Sequence, residues 1–495
     1  MVKATMGLAL GALALLLATS AISPPAMTVD ARIVQLESNR SLGDGTLADL
    51  LNSRDPRIAA RAALAIGRTG QRAGVAPLMK HLADAHPAVS AMVIYALGLL
   101  HDPSSAEAVI RAALAGAGRG EARQAAALDA IDRYESAGAF SDDQEHRALR
   151  PIASTLLESR SPVLRARAAE TYNAFANSHR TFVISQILEK AFRRERSGFV
   201  RWHIMWTIMR GYAYRVPRSL LISAIGDRDE TVRIEGIRAL GRVKNPDAIA
   251  TLQNAVAHDS SWRVAEQALE SIRTLRKEPA TEHLKSIPTV IRLPQARPDP
   301  YERIAALPRS PVTVQPAAPS AQRALYAPML DANSLARFTE PQPGAHPRVR
   351  IVTTKGNLYL RLYPEWAPLT VENFLNLSDA GYYDNNPWFR IVPDFVVQTG
   401  GGVDGNSDVK YTIPAEENPL EQGSFVISMG LNYTDPPNAH AIRDSAGSEF
   451  YITLSPQLHL DRDFTVFGAM YAGFDVLARL VESDKIVRIE RLPDA

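Results

Sequence analysis

A chain of 495 residues exceeds what one ordinary hydrophobic core accommodates, so roughly two to four domains are expected. It contains no cysteine, which excludes disulfides, thiolate metal sites and cysteine nucleophiles. The formal net charge is only +2, but from His346 onward the chain holds 12 Lys+Arg against 20 Asp+Glu, a balance of −8, and the preceding part carries +10. Acidic residues are mixed in throughout, which argues against a nucleic-acid partner. The polarity would let the two parts touch or steer an anionic partner, with two separately solvated surfaces as the simpler expectation.

At the start, Lys3 precedes an apolar run over 8–17, followed by the small residues Ala18, Ser20 and Ala21. This is the pattern of an export signal, with cleavage expected after Ala21 or, as second choice, Ala26. The signal is assigned to 1–21, and a buried first helix is the competing reading. The run is short for a bilayer, and no later uncharged stretch reaches spanning length, so an exported mature chain without a membrane span is expected, periplasmic or secreted.

Residues 28–277 hold a weak repeat. Asp55-Pro56-Arg57-Ile58 leading to Ala62, Leu64 and Gly67 is echoed by His86-Pro87-Ala88-Val89 leading to Val93, Ala96, Leu97 and Gly98, and by Asp229-Glu230-Thr231-Val232-Arg233 leading to Ile237, Ala239, Leu240 and Gly241. Partial copies begin at Ser161, Gly198 and Ser261, whereas residues 117–159 fit the register poorly. Each unit reads as two short amphipathic helices, the first capped by Asp55 and started by Pro56. No such pair buries its apolar stripe alone, so neighbours must stack into a right-handed α-solenoid. The pattern resembles HEAT repeats of the short kind, which implies a protein partner on the solenoid.

Between 278 and 347 lie 13 of the 33 prolines. Proline removes backbone donors and disfavours helix before it, so 278–345 reads as an extended linker.

The remaining residues, 346–495, alternate apolar and polar positions. Strands are expected over 349–353, 357–362, 389–397, 424–429, 449–454, 465–469 and 485–492, with helices over 368–380 and 474–483. In the first helix Val371, Phe374, Leu375 and Leu377 would plug one end of a closed antiparallel barrel. Alternation along 389–397 sets Arg390, Val392 and Asp394 on one side and Ile391, Pro393 and Phe395 on the other.

Six ordered segments carry a family resemblance: Phe389-Arg390-Ile391-Val392-Pro393-Asp394-Phe395, Gln398-Thr399-Gly400-Gly401, Glu416-Glu417-Asn418, Ser428-Met429-Gly430, Gly447-Ser448-Glu449-Phe450-Tyr451-Ile452, and Leu460-Asp461 leading to Val466-Phe467-Gly468. Together they resemble a cyclophilin, a peptidyl-prolyl cis/trans isomerase. The resemblance implies an α+β unit built on an eight-stranded antiparallel β-barrel with two helices, acting on X-Pro bonds of polypeptide clients without metal or cofactor. It implies that Arg390 is the catalytic donor to the prolyl nitrogen or carbonyl and that Gln398 bonds the substrate backbone. Phe395, Val396, Tyr451 and Leu460 would line the proline pocket on the barrel's outer face.

Several positions depart from the family pattern: Glu449 for glutamine, Tyr451 for phenylalanine, His459 for tryptophan, Phe464 for histidine, Gly430 for alanine and Leu431 for asparagine. These substrate-site differences imply reduced or selective turnover, and a Glu449 to Arg390 ion pair would compete with substrate. The long loop over 432–446 would cover one side of the groove. A catalytically weak peptide-binding scaffold is therefore the competing function, and a solenoid with the barrel as a targeting module is a third.

His440, Asp444 and Ser445 lie close in sequence, but no nucleophile turn surrounds the serine. The Asp461-Arg462-Asp463 and 401–405 segments read as turns, and Asn432-Tyr433-Thr434 as a chance sequon.

Overall fold

The computed structural model describes residues 28–84, 86–115, 120–244, 247–277, 346–392, 395–403, 409, 411–434, 441–461 and 463–493. The expected signal over 1–21 and linker over 278–345 lie outside these residues, as do Pro393, Asp394, Asp404, His440 and Arg462.

The N-terminal part is all helix: α1 (Val29–Ser38), α2 (Thr46–Leu51), α3 (Pro56–Thr69), α4 (Val75–Lys80), α5 (Pro87–Leu100), α6 (Ala106–Leu114), α7 (Glu121–Ser136), α8 (Asp142–Glu158), α9 (Pro162–Thr171), α10 (Thr181–Arg194), α11 (Gly198–Thr207), α12 (Arg218–Ile225), α13 (Glu230–Arg242), α14 (Ala248–His258) and α15 (Trp262–Arg276). From α1 to α15 the odd-numbered helices pack each against the next, forming one layer of a solenoid. The repeat residues explain the stacking. Asp55 accepts from Arg57 N at 2.9 Å and Pro56 opens α3, as the sequence predicts. A Cβ on Gly67 would lie 2.8 Å from Ala96 Cα, and one on Gly98 equally close to Ala130 Cα, so these glycines let consecutive helices touch at the backbone.

Repeated arginines stitch one unit to the next by bidentate pairs, the strong geometry for guanidinium and carboxylate. Arg201 meets Asp227 at 2.7 Å through both Nε and Nη2, and Arg233 meets Asp259 at 2.8 and 2.9 Å. The poorly fitting stretch still supplies the long helices α7 and α8, the latter started by a capping box of Ser141 and Gln144.

The C-terminal part has strands β1 (Arg348–Thr353), β2 (Gly356–Leu362), β3 (Arg390–Ile391), β4 (Val396–Thr399), β5 (Val426–Met429), β6 (Phe450–Thr453), β7 (Val466–Ala472) and β8 (Ile486–Leu492). All are antiparallel, in the order β3-β4-β6-β5-β7-β2-β1-β8. A bridge of Pro387 with Lys485 and backbone bonds from Trp388 N to Asp484 O at 3.1 Å, Asn385 N to Ile486 O at 2.8 Å and Ile486 N to Asn386 O at 2.9 Å link the chain before β3 to the start of β8. Helix α16 (Pro368–Asp379) buries Phe374 against Tyr383, Phe450 and Phe467, filling the end of the sheet that the apolar stripe predicts, while α17 (Phe474–Leu477) is shorter than the expected 474–483. Buried Glu416 accepts from Leu369 N at 3.1 Å and Thr370 N at 2.8 Å, setting a carboxylate on the free amides that begin α16.

One expected strand is two. Arg390 pairs with Gln398 and Ile391 with Val397, so the chain over 389–397 doubles back instead of running straight. Val392 N bonds Val396 O at 2.9 Å and Phe395 N bonds Val392 O at 3.0 Å, and these local bonds outweigh the apolar alternation. Arg390 and Phe395, assigned to opposite faces by alternation, therefore meet, with the guanidinium carbon 5.3 Å from the ring centre.

The two parts also meet, against the simpler expectation of separate solvated surfaces. Arg68 of α3, fully buried, donates to Glu417 O at 2.7 Å and Trp366 O at 2.7 Å of the barrel while also holding Glu37 of α1. Burial alone would raise the Glu37 carboxyl, but the guanidinia of Arg61 and Arg68 outweigh it and hold the pKa at about 2. Arg167 of α9 reaches Asp129 at 3.2 Å within the solenoid and Glu421 at 2.7 Å across the contact. Basic solenoid side chains thus meet acidic barrel loops at this contact, Arg167 with Glu421 and Arg40 with Asp444.

Candidate active site

The β3–β4 hairpin carries the cation and the amide. Arg390 is exposed, and its Nη1 donates to Gln398 Oε1 at 3.3 Å across the ladder. Gln398 Nε2 donates in turn to Glu449 Oε2 at 3.2 Å. The expected ion pair between Arg390 and Glu449 is replaced by this relay, with the glutamine standing between the charges. Burial raises the Glu449 carboxyl above its ordinary range, the bond from Gln398 opposing it. Two glycines permit the approach. Gly400 has φ +89, and a Cβ there would lie 2.4 Å from Ser448 O; a Cβ on Gly430 would press on Glu449 Cβ at 3.0 Å.

Beside the relay lies an apolar cluster. Val396, Tyr451, Leu460 and Phe464 are buried together, with Phe395, Leu431 and Ala441 packed against them. Register sets Gln398 opposite Tyr451, and Val397 and Ile452 turn the other way into the sheet's own core. The cluster thus occupies the outer face. Tyr451 and Phe464 meet edge to face at 5.8 Å, and His459 stacks on Phe395 at 5.8 Å with the rings 15° apart. Burial, helped by the Arg210 guanidinium, depresses the His459 pKa to about 4, so the ring is neutral at physiological pH.

Sequence reasoning named Phe395, Val396, Gly430, Glu449, Tyr451, His459, Leu460 and Phe464, and all lie in or beside this cluster. It missed Ala441 and Tyr433. These two form an isolated bridge, and the Tyr433 ring lies 6.3 Å from Phe464, so the described ends of the long loop meet beside the cluster. Loop length was the one signal. Gln422, fully buried, was also missed; it donates to Ser428 Oγ at 2.9 Å beneath the cluster. Ser445 accepts from Asn432 N at 2.9 Å and donates to Ile442 O at 2.6 Å, while Asp444 is held by Arg40, so neither is poised for nucleophilic chemistry.

The family model for cyclophilin type peptidyl-prolyl cis-trans isomerases matches residues 348–491. Peptidyl-prolyl cis-trans isomerase CYP18-2 of Arabidopsis thaliana is 37% identical over 153 residues, 29% of this chain and 88% of that protein. The chain belongs to the cyclophilin-type peptidyl-prolyl isomerase family. Peptidyl-prolyl cis-trans isomerase B of Bacillus subtilis is 38% identical over 135 residues, 26% of this chain and 87% of that protein. A crystal structure of a Cryptosporidium parvum cyclophilin aligns over 30% of this chain and 99% of its own, at 25% identity and a TM-score of 0.27. The HEAT repeat model matches 45–132, 185–273 and 216–307, so the cyclophilin domain follows HEAT repeats.

In this cyclophilin domain the relay orients the guanidinium. One face of Arg390 lies over Phe395 and one N–H is held by Gln398, and the side chain is exposed. Among the described residues no helix is long and apolar enough to cross a membrane.

Proposed function

We propose that the protein isomerises X-Pro bonds in exported polypeptide clients, with the HEAT repeats binding a client or partner. Twisting the X-Pro bond breaks resonance between nitrogen and carbonyl and crosses a barrier of ~18–20 kcal/mol. A donor aimed at the nitrogen as it becomes pyramidal lowers that barrier, and needs no nucleophile. Arg390 supplies the donor. The proline ring docks against Phe395, Val396, Tyr451, Leu460 and Phe464, and Gln398 both positions the guanidinium and faces the substrate backbone.

One observation carries this reading: an exposed guanidinium held at the rim of an apolar cluster, 5.3 Å from the Phe395 ring. Removing one such preorganised donor costs about a hundredfold to a thousandfold in rate. A protease-coupled or exchange-NMR assay on a proline peptide tests it. Arg390→Ala should lose that factor in kcat/KM, and a wild type no faster than the variant refutes catalysis. Peptide binding without isomer exchange would select the scaffold reading, which the Tyr433–Ala441 bridge beside the cluster favours.

Export rests on Lys3, the apolar run over 8–17 and the small residues Ala18, Ser20 and Ala21. N-terminal sequencing of protein from fractionated cells should find a chain starting at Ile22 outside the cytoplasm; an intact Met1 in the cytoplasm refutes it.

A further inference from the structure

A cleft of about 720 Å³ lies between solenoid and barrel, within the roughly 300–1,000 Å³ usual for ligand sites. Its barrel wall includes Leu431, Ala441 and His459. Leu431 and Ala441 also pack on the apolar cluster beside Arg390, and His459 stacks on Phe395, so the cleft begins where the proline pocket ends. Its other wall is the solenoid: Leu99 and Leu100 at the end of α5, and Arg133 and Ala137 at the end of α7.

We propose that the solenoid forms the second wall of the isomerase's substrate site, so that the chain flanking the target proline runs as an extended segment between α5, α7 and the barrel. The proposal rests on the isomerase reading and names its substrate class: unfolded, extended polypeptide. Three observations support it. The lining is continuous with the pocket. Charges of both signs face the cleft, Arg133 and Arg443 with Glu417 and Asp463, and Arg443 donates to Glu417 at 2.6 Å, so no strong single-sign field selects a charged ligand. The neutral His459 and the apolar Leu99, Leu431 and Ala441 offer surface suited to uncharged side chains. A folded loop needs room on both sides of its turn, whereas a single extended strand fits between two walls.

The test uses the full chain. Ala137 is exposed at the end of α7, so Ala137→Trp adds bulk to the cleft without disturbing the core, and an unchanged melting temperature checks this. The measured quantity is kcat/KM for a proline tetrapeptide and for a peptide lengthened on both sides of the same tetrapeptide. The ratio of long to short should exceed one in the wild type and fall about tenfold in Ala137→Trp, the scale of one or two pocket contacts. An unchanged ratio, with Arg390→Ala still abolishing turnover of both peptides, overturns the cleft and leaves the isomerase intact. Arg390→Ala without effect on either peptide removes the isomerase reading and the cleft together.

Discussion

Replacing Arg68 by methionine should undock the barrel from the solenoid. The methionine keeps an apolar stem of similar reach but removes donors to two barrel carbonyls, Glu417 O and Trp366 O, each at 2.7 Å. Arg68 is fully buried, so water does not simply replace it, and each orphaned acceptor costs about 1–3 kcal/mol. Docking therefore weakens by about 2–6 kcal/mol, at least ~30-fold in the equilibrium at the low end. Glu37 keeps Arg61 but loses its second cation, so solenoid stability falls as well. Arg68→Lys should lie between, since a single ammonium does not span three acceptors in fixed directions. Small-angle scattering should report a larger radius of gyration and calorimetry two separated transitions. An unchanged radius with wild-type unfolding would refute the idea that these carbonyl bonds hold the domains together.

Gly67→Val should cost about 3 kcal/mol in denaturant unfolding, the upper range for overpacking, because its Cβ would meet Ala96 Cα at 2.8 Å. Tyr451→Phe should change stability by no more than about 1 kcal/mol, because the buried hydroxyl makes no well-formed hydrogen bond among the described residues although Ser428 and Gln422 lie close to it, and should retain turnover. Glu449 has a raised folded-state pKa, so ionising it opposes folding as pH rises above its ordinary 4.5; Glu449→Gln should flatten that part of the stability profile. Glu37 and His459 both contribute to the acid limb. Glu37, held at about 2, contributes stability that is complete above pH 4.5 and lost as pH falls toward 2, whereas His459, depressed to about 4, makes stability decline as pH falls from 6.5 toward 4. His459→Gln should lessen the second decline, which the buried His203, its pKa depressed to about 3, also produces, read as the denaturant midpoint against pH.

Much of this was legible because the signals were local. Asp55 and Pro56 mark a helix start in any context, and Gly67 and Gly98 recur at one position of the repeat because consecutive helices touch there. The segments around Arg390, Gln398 and Tyr451 likewise pointed to the apolar cluster. Its hairpin was not legible as such. Alternation from Arg390 to Phe395 favoured one strand, although Pro393-Asp394 is itself a turn signal that competes with it. The relay through Gln398 follows from that reversal, so the direct ion pair was the natural but incorrect expectation. Docking depends on contacts between residues hundreds of positions apart, such as Arg68 with Glu417, and charge imbalance alone allows contact or separation and does not say which loops meet.

Strand β3 contains only Arg390 and Ile391 and is paired along one side, to β4, at the margin of the sheet. The Arg390 guanidinium therefore rides on a two-residue strand held in the ladder along one side only. Substitutions at Val392 or Phe395 can redirect it by small rotations, while the packed interior around Phe374 and Phe450 stays untouched. Selectivity and fold integrity thus occupy separable stretches of sequence, and the former can drift without endangering the latter.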